Sequence, residues 1–264
     1  MGFSEQLKKA SRVGAFFVLA FGSLPALAFC PSPGALPEAA VARVVDGDTL
    51  RLSDGRSVRL IGINAPELGR AGRKAEAFAE AARERLQGLV RASGGRVMLH
   101  AGVESHDRYG RLLAHAYDAR GRNLEAALLA EGLGFMVALA PNTALTGCHQ
   151  AAERQARQAR LGVWRKPPLQ SAAALRQGGF ALLDGRVERA ERNGAGFWLE
   201  FDGPLVVQVP PPALEAFDAA WLAALPGKTL QVRGWVLDRR GRSTPQQARW
   251  LLRVSHPAML EVVR

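Results

Sequence analysis

Two aspartate–glycine turns cut residues 41–63 into short strands, and this constrains the fold more than any other feature of the chain. Asp46-Gly47-Asp48 separates Val41–Val45 from Thr49–Leu52, and Asp54-Gly55 turns the chain into a third strand over Ser57–Ile63. Phe78, Ala82, Leu86 and Val90 then recur every four positions and predict a helix over 73–91, broken by Ser93-Gly94-Gly95. Strands follow over Arg96–His100 and Arg111–Tyr117. Asn123 reads as the cap of a helix running to Glu131 and stopped by Gly132, and a last helix runs from Cys148 to Arg160. The order strand-strand-strand-helix-strand-strand is that of an OB barrel, here with two further helices.

Pro167-Pro168, a run of alanines and Gly178-Gly179 mark residues 167–179 as a linker. Beyond it the plan repeats in smaller form. Strands are expected at Gly185–Ala190, Gly196–Phe201, Leu205–Val209, Thr229–Leu237 and Arg249–Val254, with a helix over Ala213–Ala224. The fold class is a β-barrel with helices (α+β): an OB-fold domain over 29–166 and a second, smaller OB-like barrel over 180–264.

Lys8, Lys9 and Arg12 precede an apolar run from Val13 to Phe29, and Ala26-Leu27-Ala28 offers small residues before Phe29. Residues 1–28 thus read as a signal peptide, which predicts a secreted or periplasmic chain; a retained N-terminal membrane anchor is the alternative. Export favours pairing the two cysteines, Cys30 and Cys148, in one disulfide, although two free thiols suit the sequence equally. No metal-ligand spacing links these cysteines and the five histidines.

The chain carries a net charge of +11, and residues 41–166 hold 20 of its 35 cations against 13 of its 24 anions. Such a surplus suits a polyanionic partner, and it lies mostly in the first barrel. There Arg59 interrupts the apolar strand of VRLIGINAPE (58–67). An unpaired charge in a barrel wall costs several kcal/mol, so Arg59 requires an anion or an open groove. Glu67 follows just beyond that strand, Asp48 offers a hard oxygen in a tight turn, and HDRYGR (106–111) sets Arg108, Tyr109 and Arg111 around another turn. Guanidinium groups, hard oxygens and a carboxylate able to orient or deprotonate water suit phosphodiester hydrolysis.

With VVDGDTLRL (44–52), VRLIGINAPE (58–67), DRYGRLLAHAY (107–117), NLEAALLAEGL (123–133) and the closing Glu153…Arg157…Leu161-Gly162-Val163-Trp164, residues 41–164 resemble a staphylococcal-nuclease-like (thermonuclease) domain. The resemblance implies catalytic roles for Arg59, Glu67 and Arg111, with Arg59 and Arg111 on the scissile phosphate and Glu67 as base or water orienter. It implies Ca2+ at Asp48, Asn64 and the backbone carbonyl of Ala65, and contacts from Arg108 and Tyr109 to a terminal phosphate. DNA, RNA or both would be cut to 3′-phosphate ends. Asn64 stands where the family pattern has a second ligating aspartate, so one negative charge is missing and another divalent cation could replace calcium. The segment LGRAGRKAEAF (68–78) is shorter than the family's loop, and no second phosphate-contacting tyrosine follows Gly132.

The functional expectation is an exported, metal-dependent, sugar-nonspecific endonuclease acting as a monomer with no protein partner, and meeting a membrane only if the leader is retained. The alternative is a catalytically weak nucleic-acid-binding scaffold of the same fold. Asp46 and Asp107 read as turn-capping aspartates, His106 and His115 as surface or packing residues, and Arg154, Arg157 and Arg160 as a solvated helix face. In the second barrel Trp198 is expected to point outward. Arg233 and Trp235 share one strand face, and packing against the first barrel is favoured over base stacking for the second barrel's tryptophans.

Overall fold

The computed structural model describes residues 30–69, 72, 74–241 and 248–263; the leader expected at 1–28 lies outside them. The first unit comprises β1 (Glu38–Asp46), β2 (Thr49–Leu52), β3 (Ser57–Leu60), β4 (Ile63–Asn64), α1 (Ala79–Ala92), β5 (Arg96–His106), β6 (Leu112–Tyr117), α2 (Leu124–Ala130), β7 (Phe135–Met136) and α3 (Thr146–Gln158). Five strands close into a barrel in the order β1-β2-β3-β6-β5, with β3 and β6 parallel. This is the OB order. The barrel encloses Leu50, Leu52, Val58 and Leu60, while Ala82, Leu86 and Val90 of α1 are buried in the same core.

Several boundaries differ from the sequence expectation, three of them beside the cleft elements. The third strand stops at Leu60 because Gly62 takes φ +84°, and β4 leaves the barrel to pair with β7. A Cβ at Gly62 would collide with the His149 ring, so glycine answers both the backbone turn and the close approach. Helix α1 begins at Ala79 rather than 73. Before it, the Glu76 amide donates to the Glu67 carbonyl at 2.9 Å and Phe78 adopts a left-handed φ of 67°. Strand β5 runs on to His106, well past His100. Helix α2 has the expected cap: Asn123 Oδ1 accepts the Ala126 amide at 2.8 Å.

The second unit comprises β8 (Leu169–Ser171), β9 (Gly179–Asn193), β10 (Gly196–Phe201), β11 (Leu205–Val209), α4 (Ala219–Ala223), β12 (Thr229–Asp238), β13 (Trp250–Arg253) and β14 (Leu260–Val262). These strands form one sheet in the order β14-β12-β13-β11-β10-β9-β8, in which β12 also bonds to β9. Residues 179–186 of β9 pair with β12 and residues 187–193 with β10, while β11 and β13 run parallel. The pairings β9-β10-β11-β13-β12 thus repeat the strand order of the first unit. The expected 213–224 helix is split into a 3-10 turn over Pro211–Ala216 and the short α4.

Segment 167–179, expected as a linker, is instead docked: β8 pairs with β9, and Ala172 and Leu175 are buried. The two units share one continuous apolar core, from Leu50 and Val58 through Ala138 to Val232 and Trp250. Among the described residues no helix is long and apolar enough to cross a membrane. A disulfide joins Cys30 to Cys148, with Cα atoms 5.5 Å apart, and closes a sequence separation of 118 residues.

Candidate active site

The turn between β1 and β2 brings Asp48 against the loop after β4. A Cβ at Gly47 would stand 2.6 Å from Ala65 Cβ and 2.7 Å from Ala82 Cβ, so only glycine lets this turn close on both the loop and α1. Asp48 is buried. Its Oδ2 accepts the Ala65 amide at 2.7 Å and lies 3.1 Å from Arg59 Nη2, and its Oδ1 accepts the Thr49 hydroxyl at 3.1 Å. Burial pushes the Asp48 carboxyl up to about 6, against the opposing pull of the Arg59 guanidinium. Asp46 caps the turn through Oδ1, which accepts the Asp48 amide at 3.1 Å.

Arg59 sits in β3 between Thr49 of β2 and Leu113 of β6. Its Nη1 donates to the carbonyls of Leu60 at 2.6 Å and Ile63 at 2.8 Å, and its Nη2 donates to Asn64 Oδ1 at 3.3 Å. The anion this strand arginine requires is therefore Asp48, and the surrounding carbonyls and amide fix the plane of the guanidinium. Arg111 immediately precedes β6, and its Nε donates to Asp107 Oδ2 at 2.7 Å. Asp107 Oδ1 accepts the amides of Tyr109 and Arg111 at 2.9 and 3.0 Å. Partial burial raises the Asp107 carboxyl, but these hydrogen bonds outweigh it and hold the group below its ordinary range. The turn also presents Tyr109, 68% exposed, with Arg108 Cζ 4.9 Å and Arg111 Cζ 5.6 Å from its ring centre. Arg108 Nη2 donates to the Tyr109 hydroxyl at 2.7 Å.

One cleft of about 670 Å³ takes in Asp46, Asp48, Arg59, Asn64, Glu67, Arg108, Tyr109 and Arg111. Glu67 is exposed at the cleft wall, and its loop is pinned by its own amide donating to Glu76 Oε2 at 2.9 Å. Ala65 is buried beside Asp48, touching it through the amide described above. Asp46, Asp48 and Asn64 supply two carboxylates and an amide oxygen, the hard donors that a cation such as Ca2+ takes. The donor set fits a divalent cation, with Arg59 already engaging Asp48 and Asn64.

Sequence spacing did not reveal a second polar group. Ligand atoms of His115, Glu125 and His149 lie within 4.8 Å of one another, all buried beneath the disulfide end of α3. His149 Nε2 faces Asn123 Oδ1 at 3.1 Å, and Glu125 Oε1 accepts the Ala116 amide at 2.9 Å. Burial, then His115, pushes His149 down to about 3. His115 is thus the packing residue that was expected, and His106 is exposed.

Arg157 requires a correction. It was expected on a solvated face with Arg154 and Arg160, but it lies 4.2 Å over the Trp164 ring, donates to Glu261 Oε2 at 3.0 Å and to Gln231 Oε1 at 3.3 Å, and so joins the two units. Arg233 is buried against the first unit. Trp198 is half-buried and donates from Nε1 to Asn193 Oδ1 at 3.0 Å. Trp235 is the residue sequence reasoning did not place in the site: it lines the same cleft as Arg59 and Arg111. Strand alternation put Trp235 on the face of Arg233, but nothing local could show which part of the first barrel that face meets.

The first unit is thus a closed five-stranded barrel of OB order whose cleft gathers arginines, acidic oxygens and an exposed glutamate. Residues 57–166 match the family described as Staphylococcal nuclease homologue. The chain is 30% identical over 141 residues to the Micrococcal nuclease of Shigella flexneri, covering 49% of this chain and 75% of that protein. It is 31% identical over 123 residues to the Probable endonuclease lcl3 of Pyrenophora tritici-repentis, covering 42% of each. A similar protein of Leptosphaeria maculans, Probable endonuclease LCL3, is 30% identical over 118 residues, 38% of its length. The match spans less than half of each fungal relative. The chain belongs to the staphylococcal nuclease homologue family.

Proposed function

We propose that the chain is an exported endonuclease that hydrolyses phosphodiester bonds of DNA, RNA or both, with a divalent cation, calcium first, held by Asp48, Asn64, the Ala65 carbonyl and the adjoining turn. The observation that carries this reading is the convergence of Arg59, Arg111, Asp48 and Glu67 on one cleft. Arg59 and Arg111 bind the phosphate and meet the charge that develops on it; their guanidinium planes are already fixed by Asp48 and Asp107. Glu67 orients water or takes its proton, and Arg108 with Tyr109 receives the neighbouring phosphate. When bound, the cation supplies Lewis-acid polarisation of a phosphate oxygen. The family resemblance favours 3′-phosphate products. Export is supported by the Cys30–Cys148 disulfide, a bond that belongs to oxidising compartments.

A second reading, a weakly catalytic binding scaffold, is favoured by one observation: Arg59 bonds both Asp48 and Asn64, the groups a cation would take. Incubating the protein with DNA and with RNA, in calcium and in chelator, separates the two. Calcium-dependent shortening of either polymer supports the enzyme, and binding without cleavage under calcium, magnesium and manganese supports the scaffold.

A further inference from the structure

Among the described residues, Trp235 is the large aromatic side chain that the second unit brings to the cleft wall. The residue stays 37% exposed, although Val232, Arg233 and Val236 around it on β12 are buried. The ring is held on its other side. It meets Phe180 edge to face at 5.1 Å and 63°, and Phe180 meets Phe135 at 5.6 Å. Phe135 pairs with Asn64 across β4 and β7, so this aromatic row runs from the cleft wall back to the strand that carries a candidate ligand. Two residues away, Arg233 ties β12 to Glu153 and to the Met136 carbonyl of the first unit. The tryptophan is therefore fixed relative to Arg59 and Arg111, with part of its surface open to the same space.

We infer that Trp235 forms a base-stacking subsite, taking an unpaired nucleobase of a single-stranded nucleic acid whose phosphate lies on Arg59 and Arg111. This rests on reading the cleft as a phosphodiester site. A fixed indole beside guanidinium groups offers a π-face to a base and cations to its backbone, the pairing that single-strand sites use without sequence preference. In a duplex both faces of each base are already covered by neighbours, so the subsite selects single strands. The second unit then works as a wall of the first unit's cleft. On the second unit's own surface Arg189 is paired with Glu191 and Glu200, which neutralises that cation locally.

The test uses the full, disulfide-bonded protein in chelator, with equilibrium binding read by anisotropy of a labelled single-stranded oligothymidylate. Trp235→Ala is expected to weaken binding by about 5- to 150-fold, the range for losing one stacked base. Trp235→Phe should recover much of it, and binding to a duplex of equal length should change little. Oligonucleotides carrying one abasic sugar at successive positions should include one that weakens the wild type by a similar factor and leaves Trp235→Ala unaffected. If Trp235→Ala folds poorly, Trp235→Leu, which keeps apolar bulk without a π-face, takes its place in both the binding and the abasic comparisons. Equal binding by wild type and both variants, or no single-strand binding by the wild type, would overturn the inference. Wild-type binding that depends on Trp235, without cleavage in calcium, would sink the enzymatic reading and leave the subsite standing.

Discussion

Arg233 donates from Nη1 to both carboxylate oxygens of Glu153, at 2.9 and 2.8 Å, across the contact between the two units. Both side chains are buried, and Glu153 Oε1 also accepts the Met136 amide at 2.8 Å. Removing Arg233 leaves the buried Glu153 carboxylate with Arg157, whose Nε lies 3.3 Å from Oε2, as its remaining cation, so the loss stays at or below the about 3–5 kcal/mol of a wholly unpaired buried charge. Arg233→Ala should therefore lower the urea midpoint sharply, and barrel and sheet signals should still move together because the apolar core is continuous. Arg233→Ala with an unchanged midpoint, or two separate transitions in the wild type, would contradict a shared core.

Acid should find a weak point at His149, whose folded value is pushed down to about 3 by burial and then by His115. The unfolded chain takes up that proton near the usual 6.5 and the folded chain does not, so unfolding binds protons between these values. Stability is then full above about pH 6.5 and falls as pH drops toward 3, by on the order of 3–5 kcal/mol from this group. His149→Gln removes the titration and should flatten that stretch of the pH–stability curve. A curve of unchanged slope would assign the acid loss to other groups.

The Cys30–Cys148 bond ties the residues ahead of β1 to α3. Closing so long a loop stabilises by about 4–5 kcal/mol in the chain-entropy account. Thermal unfolding should shift down markedly in reductant, and a thiol assay without reductant should find no reactive cysteine. Two titratable thiols in the native protein would refute the bond.

Much of the fold was legible because its punctuation is local. Asp-Gly turns set β1 to β3, and Asn123 announced α2 with the cap the structure shows. Boundaries slipped where a distant contact decided them, as when the Glu67–Glu76 backbone bond delays α1. The site residues could be chosen from motif order, but the partners that orient them could not. That Asp48 is the anion for Arg59 depends on how the β1–β2 turn closes on β3, while Arg157 reaching Glu261 and Gln231 and Trp235 facing the cleft depend on how the two units meet. No spacing in the sequence encodes that meeting. The same limit hid the buried group of His115, Glu125 and His149, which comes from three separate elements.

Salt should act through the exposed turn. Three arginines, Arg59, Arg108 and Arg111, line the cleft, and each phosphate contact contributes about −0.7 to the slope of log affinity against log salt on single strands. Arg108→Ala should weaken binding across all sequences and make that slope shallower by about one contact. An unchanged slope would remove Arg108 from the phosphate path.

The most direct test of the central claim is the turnover number of Glu67→Gln beside that of Arg59→Ala, on single-stranded DNA in calcium, with binding measured in parallel. Glu67→Gln should lower turnover by about 10²–10⁴ while leaving affinity near that of the wild type. Arg59→Ala should lose about 10²–10³ in turnover through the missing transition-state donor. Wild-type turnover in Glu67→Gln and Arg59→Ala would contradict the assignment of this cleft as the site of hydrolysis.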